Sequence, residues 1–257
     1  MFLPLRDVNR LRFIRWQWVT LGIILVNVAV QLAFSLTPVE VDQFVTVSLG
    51  YIPAVVNDYA ELDPALVLVP EETTLLTYAF IHAGWMHLIT NMAFLWVFGD
   101  NVEDATGHLR FVVLYVLCAI AGALAHGLLT PDSQLPLVGA SGAVAGVSTA
   151  YLMLHPRVRV WVLVLGRIPL PLPAWIPLGL WIGLQIVMIV QDPGGEISWA
   201  AHVGGIVAGA LLILVLKRRD VPLFDRRIVP PEAAELAPTA AAAPPPPAVP
   251  WGRGGAR

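Results

Sequence analysis

Cysteine is nearly missing from this chain of 257 residues. The single one, Cys118, lies inside a long apolar run, which excludes an intramolecular disulfide and any metal site built on several thiolates. Charge is scarce as well. Asp, Glu, Lys and Arg make up 13% of the residues against 57% hydrophobic, and the mean hydropathy is +0.74. A soluble domain carries about a quarter of its residues as charges, so the composition excludes one and predicts a membrane protein. The middles of the apolar runs hold no carboxylate, which argues against proton or ion transport. No HExxH pattern occurs, which removes the commonest helical zinc site.

What is present is a series of apolar stretches, at 16–36, 82–103, 109–129, 141–155, 174–190 and 199–216. Crossing about 30 Å of hydrocarbon takes about 17–25 residues, and each stretch is about that long once the fourth is joined to its glycine-rich neighbours. The expected fold is therefore an all-α polytopic membrane protein, a six-transmembrane-helix bundle. No detachable signal peptide is expected: the first run follows four arginines, is long for an h-region and lacks a small-residue cleavage site. With six crossings, all 15 basic residues fall on one side, while the opposite loops carry acids alone. The positive-inside rule then predicts a multi-pass protein of the cell membrane with both termini cytoplasmic.

The domain plan follows. Residues 1–15 are a cytoplasmic basic segment approaching the membrane, too short for a nucleic-acid-binding arm, so no nucleic acid partner is expected. Residues 16–217 form the membrane domain, with an outer loop at 37–80 whose apolar pieces predict short elements on or in the outer leaflet. Asn27 and Gln31, one turn apart in the first span, are expected to bond to a neighbouring helix. The seven apolar residues of VWVLVLG, within 157–173, cannot cross a bilayer, and the outer loop QDPGGE reads as turn-rich. Residues 218–257 are a cytoplasmic Pro/Ala-rich tail, compositionally disordered over most of its length.

The stretch 138–150, VGASGAVAGVSTA, sets Ser141 between glycines where a span begins. Gly139 permits a backbone that turns amide N–H groups toward whatever approaches that serine. Ser141, Ala145 and Ser148/Thr149 share one small-residue helical face. A second small-residue run, WAAHVGGIVAGA, carries His202 with Gly205 and Gly209 on its own face. His82, His87 and Asn91 occupy the first turns of the second span. At about 1.5 Å per residue, Ser141 and His202 both lie within roughly 10 Å of the outer edge, with Asn91 slightly deeper. The depth agreement comes from arginine positions alone.

A serine hydroxyl becomes a nucleophile when a base takes its proton, and a neutral imidazole suits that task. Acyl transfer also needs donors aimed at the developing oxyanion. Asn91 offers a side-chain NH₂, Ser141 its backbone N–H and His87, one helical turn before Asn91, a ring N–H. His82 falls about 140° away from His87 on a helical wheel and is better placed to pack against a loop. The bland reading is that Ser141 serves close helix packing and His202 is a bonded core histidine; it weakens for the whole set at one depth, because each buried polar group must find a partner. A metal site from His82, His87 and His202 is disfavoured by the faces of the first two and by the lack of an adjacent carboxylate. The sharper reading is a serine–histidine pair without an acid, the histidine oriented by packing. No cofactor and no metal is expected.

With these motifs in hand, the chain resembles the rhomboid family of intramembrane serine proteases over about residues 15–217. The likeness rests on His82, His87 and Asn91 in HAGWMHLITN, on Gly139-Ala140-Ser141-Gly142 as the family's GxSG, and on Ala201-His202 followed by Gly205 and Gly209. The resemblance implies that Ser141 is the nucleophile, His202 the general base, His87 and Asn91 part of the oxyanion hole and His82 a supporting residue. It implies transmembrane protein substrates cleaved near the outer membrane face, small residues before the cut, no need for metal or ATP, and substrate access past residues 174–198. An inactive rhomboid-like binding or quality-control factor is the alternative, and a transporter the third class. The chain departs from the family where residues 37–80 lack a Trp-Arg pair. Glu103 matches a family glutamate, but Ala105 stands where a basic residue often follows it. Ala145 replaces an aromatic that packs on the base in some members, a role left to Trp199 or Trp85.

Overall fold

Side-chain size sets how closely two helices approach, and the small residues of this chain mark where its bundle is tightest. The computed structural model describes residues 2–164, 166–192 and 198–225. The helices among them are α1 (Trp18–Ser35), α2 (Val39–Leu49), α3 (Pro53–Val56), α4 (Thr74–Thr77), α5 (Trp85–Thr106), α6 (His108–Leu129), α7 (Ser141–Leu154), α8 (Trp175–Gln191) and α9 (Trp199–Leu216). Helices α1, α6 and α9 are long and apolar enough to cross a membrane; α7 and α8 are shorter apolar helices. Helix α5 has 22 residues, but His87, Asn91, Asp100, Glu103 and Asp104 dilute its apolar character. Outward-facing side chains such as Leu128 and Val215, each 80% exposed, suit a lipid environment.

Helix α7 is the centre, buried continuously from Gly142 to Tyr151. It packs against both α6 and α9, which also pack on each other. A Cβ on Gly205 would collide with the carbonyl oxygen of Gly142, and one on Gly209 with that of Gly146. Gly146 in turn meets the side chain of Cys118 from α6. The contact row of α7 is thus Gly142 and Gly146, one residue along from the Ser141–Ala145 row picked out in the sequence. That offset keeps the serine out of the seam.

The segment 37–80 forms α2, α3, α4 and short 3₁₀ turns, the short elements that its apolar pieces predicted. It clamps the segment before α7: Tyr51 and Leu137 exchange both backbone hydrogen bonds, and the Ala54 N–H donates to Ser133 O.

An antiparallel sheet accompanies the helices and was not foreseen. Strand β1 (Phe2–Asp7) pairs with β2 (Arg159–Val164), which pairs with β3 (Ile168–Pro173), in the order β1-β2-β3. The central strand is the run VWVLV, whose Val160 and Val162 are fully buried. Pro169, Pro171 and Pro173 recur at every second position of β3, an edge strand on which missing N–H groups can face outward. Residues 1–15 are therefore more than an approach to the membrane. Asn27 also departs from expectation, donating to Ile23 O of its own helix. The loop QDPGGE, expected to be rich in turns, and the tail expected at 218–257 fall mostly on residues 193–197 and 226–257, which lie outside the described residues.

Candidate active site

Ser141 is the first residue of α7, after Gly139 at φ +113°. That left-handed backbone favours glycine, and here it also has no room for a side chain: a Cβ would lie 2.5 Å from Cε1 of His87. The His87 ring thus covers the turn leading into the serine. The Gly139 N–H donates to Tyr78 O at 3.0 Å, while the Tyr78 hydroxyl donates to Ala119 O at 2.8 Å, fixing this turn to α6. The first amides of a helix have no intrahelical acceptor, so the N–H groups of Ser141 and Gly142 point out of the start of α7.

His202 lies one turn into α9. The helix start is held by Ser198, whose hydroxyl accepts from the Ala201 N–H and bonds to His126 Nδ1 of α6 at 2.9 Å. The Ala201 carbonyl faces Gly142, 3.2 Å from where a Cβ on that glycine would stand. The residue after the serine therefore packs on the residue before the histidine. The two side chains form no hydrogen bond with each other among the described residues.

Two indoles flank the His202 ring: Trp199 edge-on at 6.2 Å and Trp181 of α8 tilted at 6.1 Å. Trp199 supplies the packing expected of it, Trp181 was missed, and Trp85 makes no ring contact with His202 among the described residues. On its remaining polar side His202 Nδ1 lies 2.9 Å from Gln185 Oε1. The His202 ring is therefore oriented by a hydrogen bond as well as by packing. The sequence signal for Gln185 was its place in the middle of the apolar stretch that forms α8, where a polar side chain requires a reason.

Helix α5 forms the third wall. It begins at Trp85, after Gly84 at φ +126°, so His82 is not on it. The helical-wheel separation of His82 and His87 does not apply, and the two rings meet edge to face at 5.1 Å. His82 Nε2 accepts the Ala140 N–H at 3.4 Å, which ties it to the loop before the serine. Asn91 is buried, and its Nδ2 donates one hydrogen to His87 O at 3.2 Å, leaving the second for another acceptor.

The site thus brings together a hydroxyl at a helix start, an imidazole with a defined partner and several N–H donors. Residues 70–219, more than half of the chain, match the family model described as "Rhomboid domain". The chain is 30% identical over 152 residues to "Rhomboid protein 1, mitochondrial" of Saccharomyces cerevisiae, covering 56% of this chain and 41% of that protein. It is 28% identical over 171 residues to "Rhomboid protease GluP" of Bacillus subtilis, covering 64% and 30%. It is likewise 28% identical over 191 residues to human "Rhomboid-related protein 3", covering 71% and 47%. The chain spans about half the length, or less, of these relatives.

Proposed function

Because the chain belongs to the rhomboid family, we propose that it is an intramembrane serine endopeptidase acting on transmembrane protein substrates. The observation that carries the reading is the packing of Gly142 against the Ala201 carbonyl, with His87 over the Gly139 turn. It supports a common space for the candidate nucleophile, base and oxyanion donors.

In this reading Ser141 Oγ attacks the scissile carbonyl carbon as its proton passes to His202 Nε2. The oxyanion takes hydrogen bonds from the Ser141 N–H, the free Asn91 hydrogen and the His87 ring. The imidazolium then protonates the leaving amine, the C–N bond breaks and an acyl-enzyme remains. Water, deprotonated by the same nitrogen, hydrolyses the ester and restores the serine. Gly139 lets the turn carry its amides toward the substrate, and His82 holds the Ala140 N–H. No cofactor or metal enters these steps.

The bundle crosses the membrane six times in this proposal, with both termini cytoplasmic and the site near the outer face. Its domain spans residues 16–217, between the N-terminal segment 1–15 and a tail at 218–257. Replacing Ser141 with Ala should abolish cleavage of a single-span substrate in proteoliposomes and abolish fluorophosphonate labelling, with thermal unfolding unchanged within a few degrees. Undiminished cleavage by that variant would leave a rhomboid-like protein whose chemistry lies elsewhere.

A further inference from the structure

Helix α8 is an odd place for an amide. After Leu178 its described residues are exposed or half-buried except one, and that one is Gln185, 2% exposed. Its chain neighbours Leu184 and Ile186 are 50% and 53% exposed. The sole side chain that this half of the helix buries deeply is therefore polar, and burying an amide in an apolar bundle is unfavourable unless it is bonded. Its bond is the one to His202 Nδ1.

A carbonyl oxygen has no proton to give, so the partner of Gln185 Oε1 is an Nδ1–H. A neutral imidazole carries one N–H. With Nδ1 protonated, the lone pair sits on Nε2, and the ring cannot adopt the opposite tautomer without losing this bond. The other neighbours of the ring do not compete. Trp199 commits its Nε1–H to Asp192 at 3.3 Å, and Trp181 offers its ring. Gln185 is the ring's hydrogen-bond partner among the described residues.

We propose that Gln185 is the positioning residue of this enzyme's base, an uncharged substitute for the acid of a three-member site. The inference rests on the serine–histidine reading above. An acid in that position both orients the imidazole and stabilises its charged form. An amide oxygen orients the ring, and supplies only a dipole to the imidazolium.

The test uses full-length protein in proteoliposomes with the variants Gln185→Met and Gln185→Glu, measured from pH 5 to 9. Each is assayed by single-span substrate cleavage and by the rate of fluorophosphonate labelling of Ser141. Methionine fills the same space without an acceptor, so kcat and the labelling rate should fall by about 10- to 10³-fold, less than the roughly 10⁴-fold lost when an orienting residue enforces the wrong tautomer. KM should change little. Glutamate keeps the acceptor and adds charge, so activity should persist at high pH while the acidic limb of the profile moves upward. The other titratable groups around His202 are His87 on α5, His126 at Ser198 and Asp192 at Trp199, and both variants leave them in place.

Equal labelling rates for wild type and Gln185→Met would overturn the proposal, as would a loss confined to KM, which would make Gln185 a substrate contact. An unmoved acidic limb in Gln185→Glu would overturn it too, and decides the matter alone if the methionine variant fails to fold. Failure of the underlying reading looks different: labelling or cleavage would then survive Ser141→Ala.

Discussion

The two ends of α5 carry polar side chains in opposite conditions. At its C-terminal end Asp104 accepts three backbone N–H groups, from Arg12, Phe13 and Ile14, at 2.7–2.8 Å. Glu103, fully buried, accepts the Val19 and Thr20 N–H groups that open α1, plus the Thr20 hydroxyl, and pairs with His108. These carboxylates sit on helix-start and loop amides that would otherwise lack acceptors. At the N-terminal end Asn91 spends one of its two hydrogens, and the His87 ring covers the Gly139 turn that leads into α7. Saturated polar groups hold a fold together; donors left over among buried groups are free to meet a ligand. That contrast distinguishes the two ends of α5.

His202→Ala gives the sharpest separation. Cleavage should fall by about 10³-fold or more, because a nucleophile and its base act as a unit, while the melting temperature moves by only a few degrees. Asp104→Ala should do the reverse, stripping the acceptor from three amides at about 1–3 kcal/mol for each group left unsatisfied. A melting temperature in detergent lowered by many degrees, with near-normal turnover per folded molecule, is the expected result. Asn91→Ala should cost about 10²-fold in kcat through loss of one oxyanion donor, with stability nearly unchanged. If it unfolds the protein instead, Asn91 belongs with the carboxylates.

The smallest effect concerns Asp7, in β1 at the saturated end. Its carboxylate accepts the Tyr151 hydroxyl at 2.7 Å and an Asn101 N–H at 3.1 Å. Burial, and then the neighbouring Asp100, push its carboxyl up from 3.8 to about 7. A raised folded value means that the folded state holds the proton more tightly. Its stabilising effect is therefore full below about pH 4 and lost as pH rises through 7. Asp7→Asn should melt a few degrees above wild type at pH 8 and show no advantage at pH 4.

The helical membrane domain was legible because lipid forces each crossing to show itself as an apolar run. The close approach of α7 and α9 was legible because small residues in a helix seam advertise it, and Ser141 and His202 stand beside that seam. The sheet was not: its central strand is too short to cross, and its partners come from residues 2–7 and from a proline-alternating edge. The helical-wheel premise for His82 failed because the helix begins three residues later, at a glycine turn, although the loop contact expected of His82 is present at Ala140. Gln185 was visible as an amide within an apolar stretch, but its partner lies 17 residues away on another helix, and spacing within one helix says nothing of that.

Glycine meeting glycine across α7 and α9 has a mechanical consequence. Backbone resting on backbone leaves no rotamers to rearrange, so the spacing of those two helices resists changes in bilayer thickness and temperature. Helix α8, with Gln185 as its one deep anchor beyond Leu178, has no such lock. The two halves of the site should therefore feel the surrounding lipid unequally, and the thickness of the host bilayer becomes a dial on the orientation of the imidazole rather than on the position of the serine.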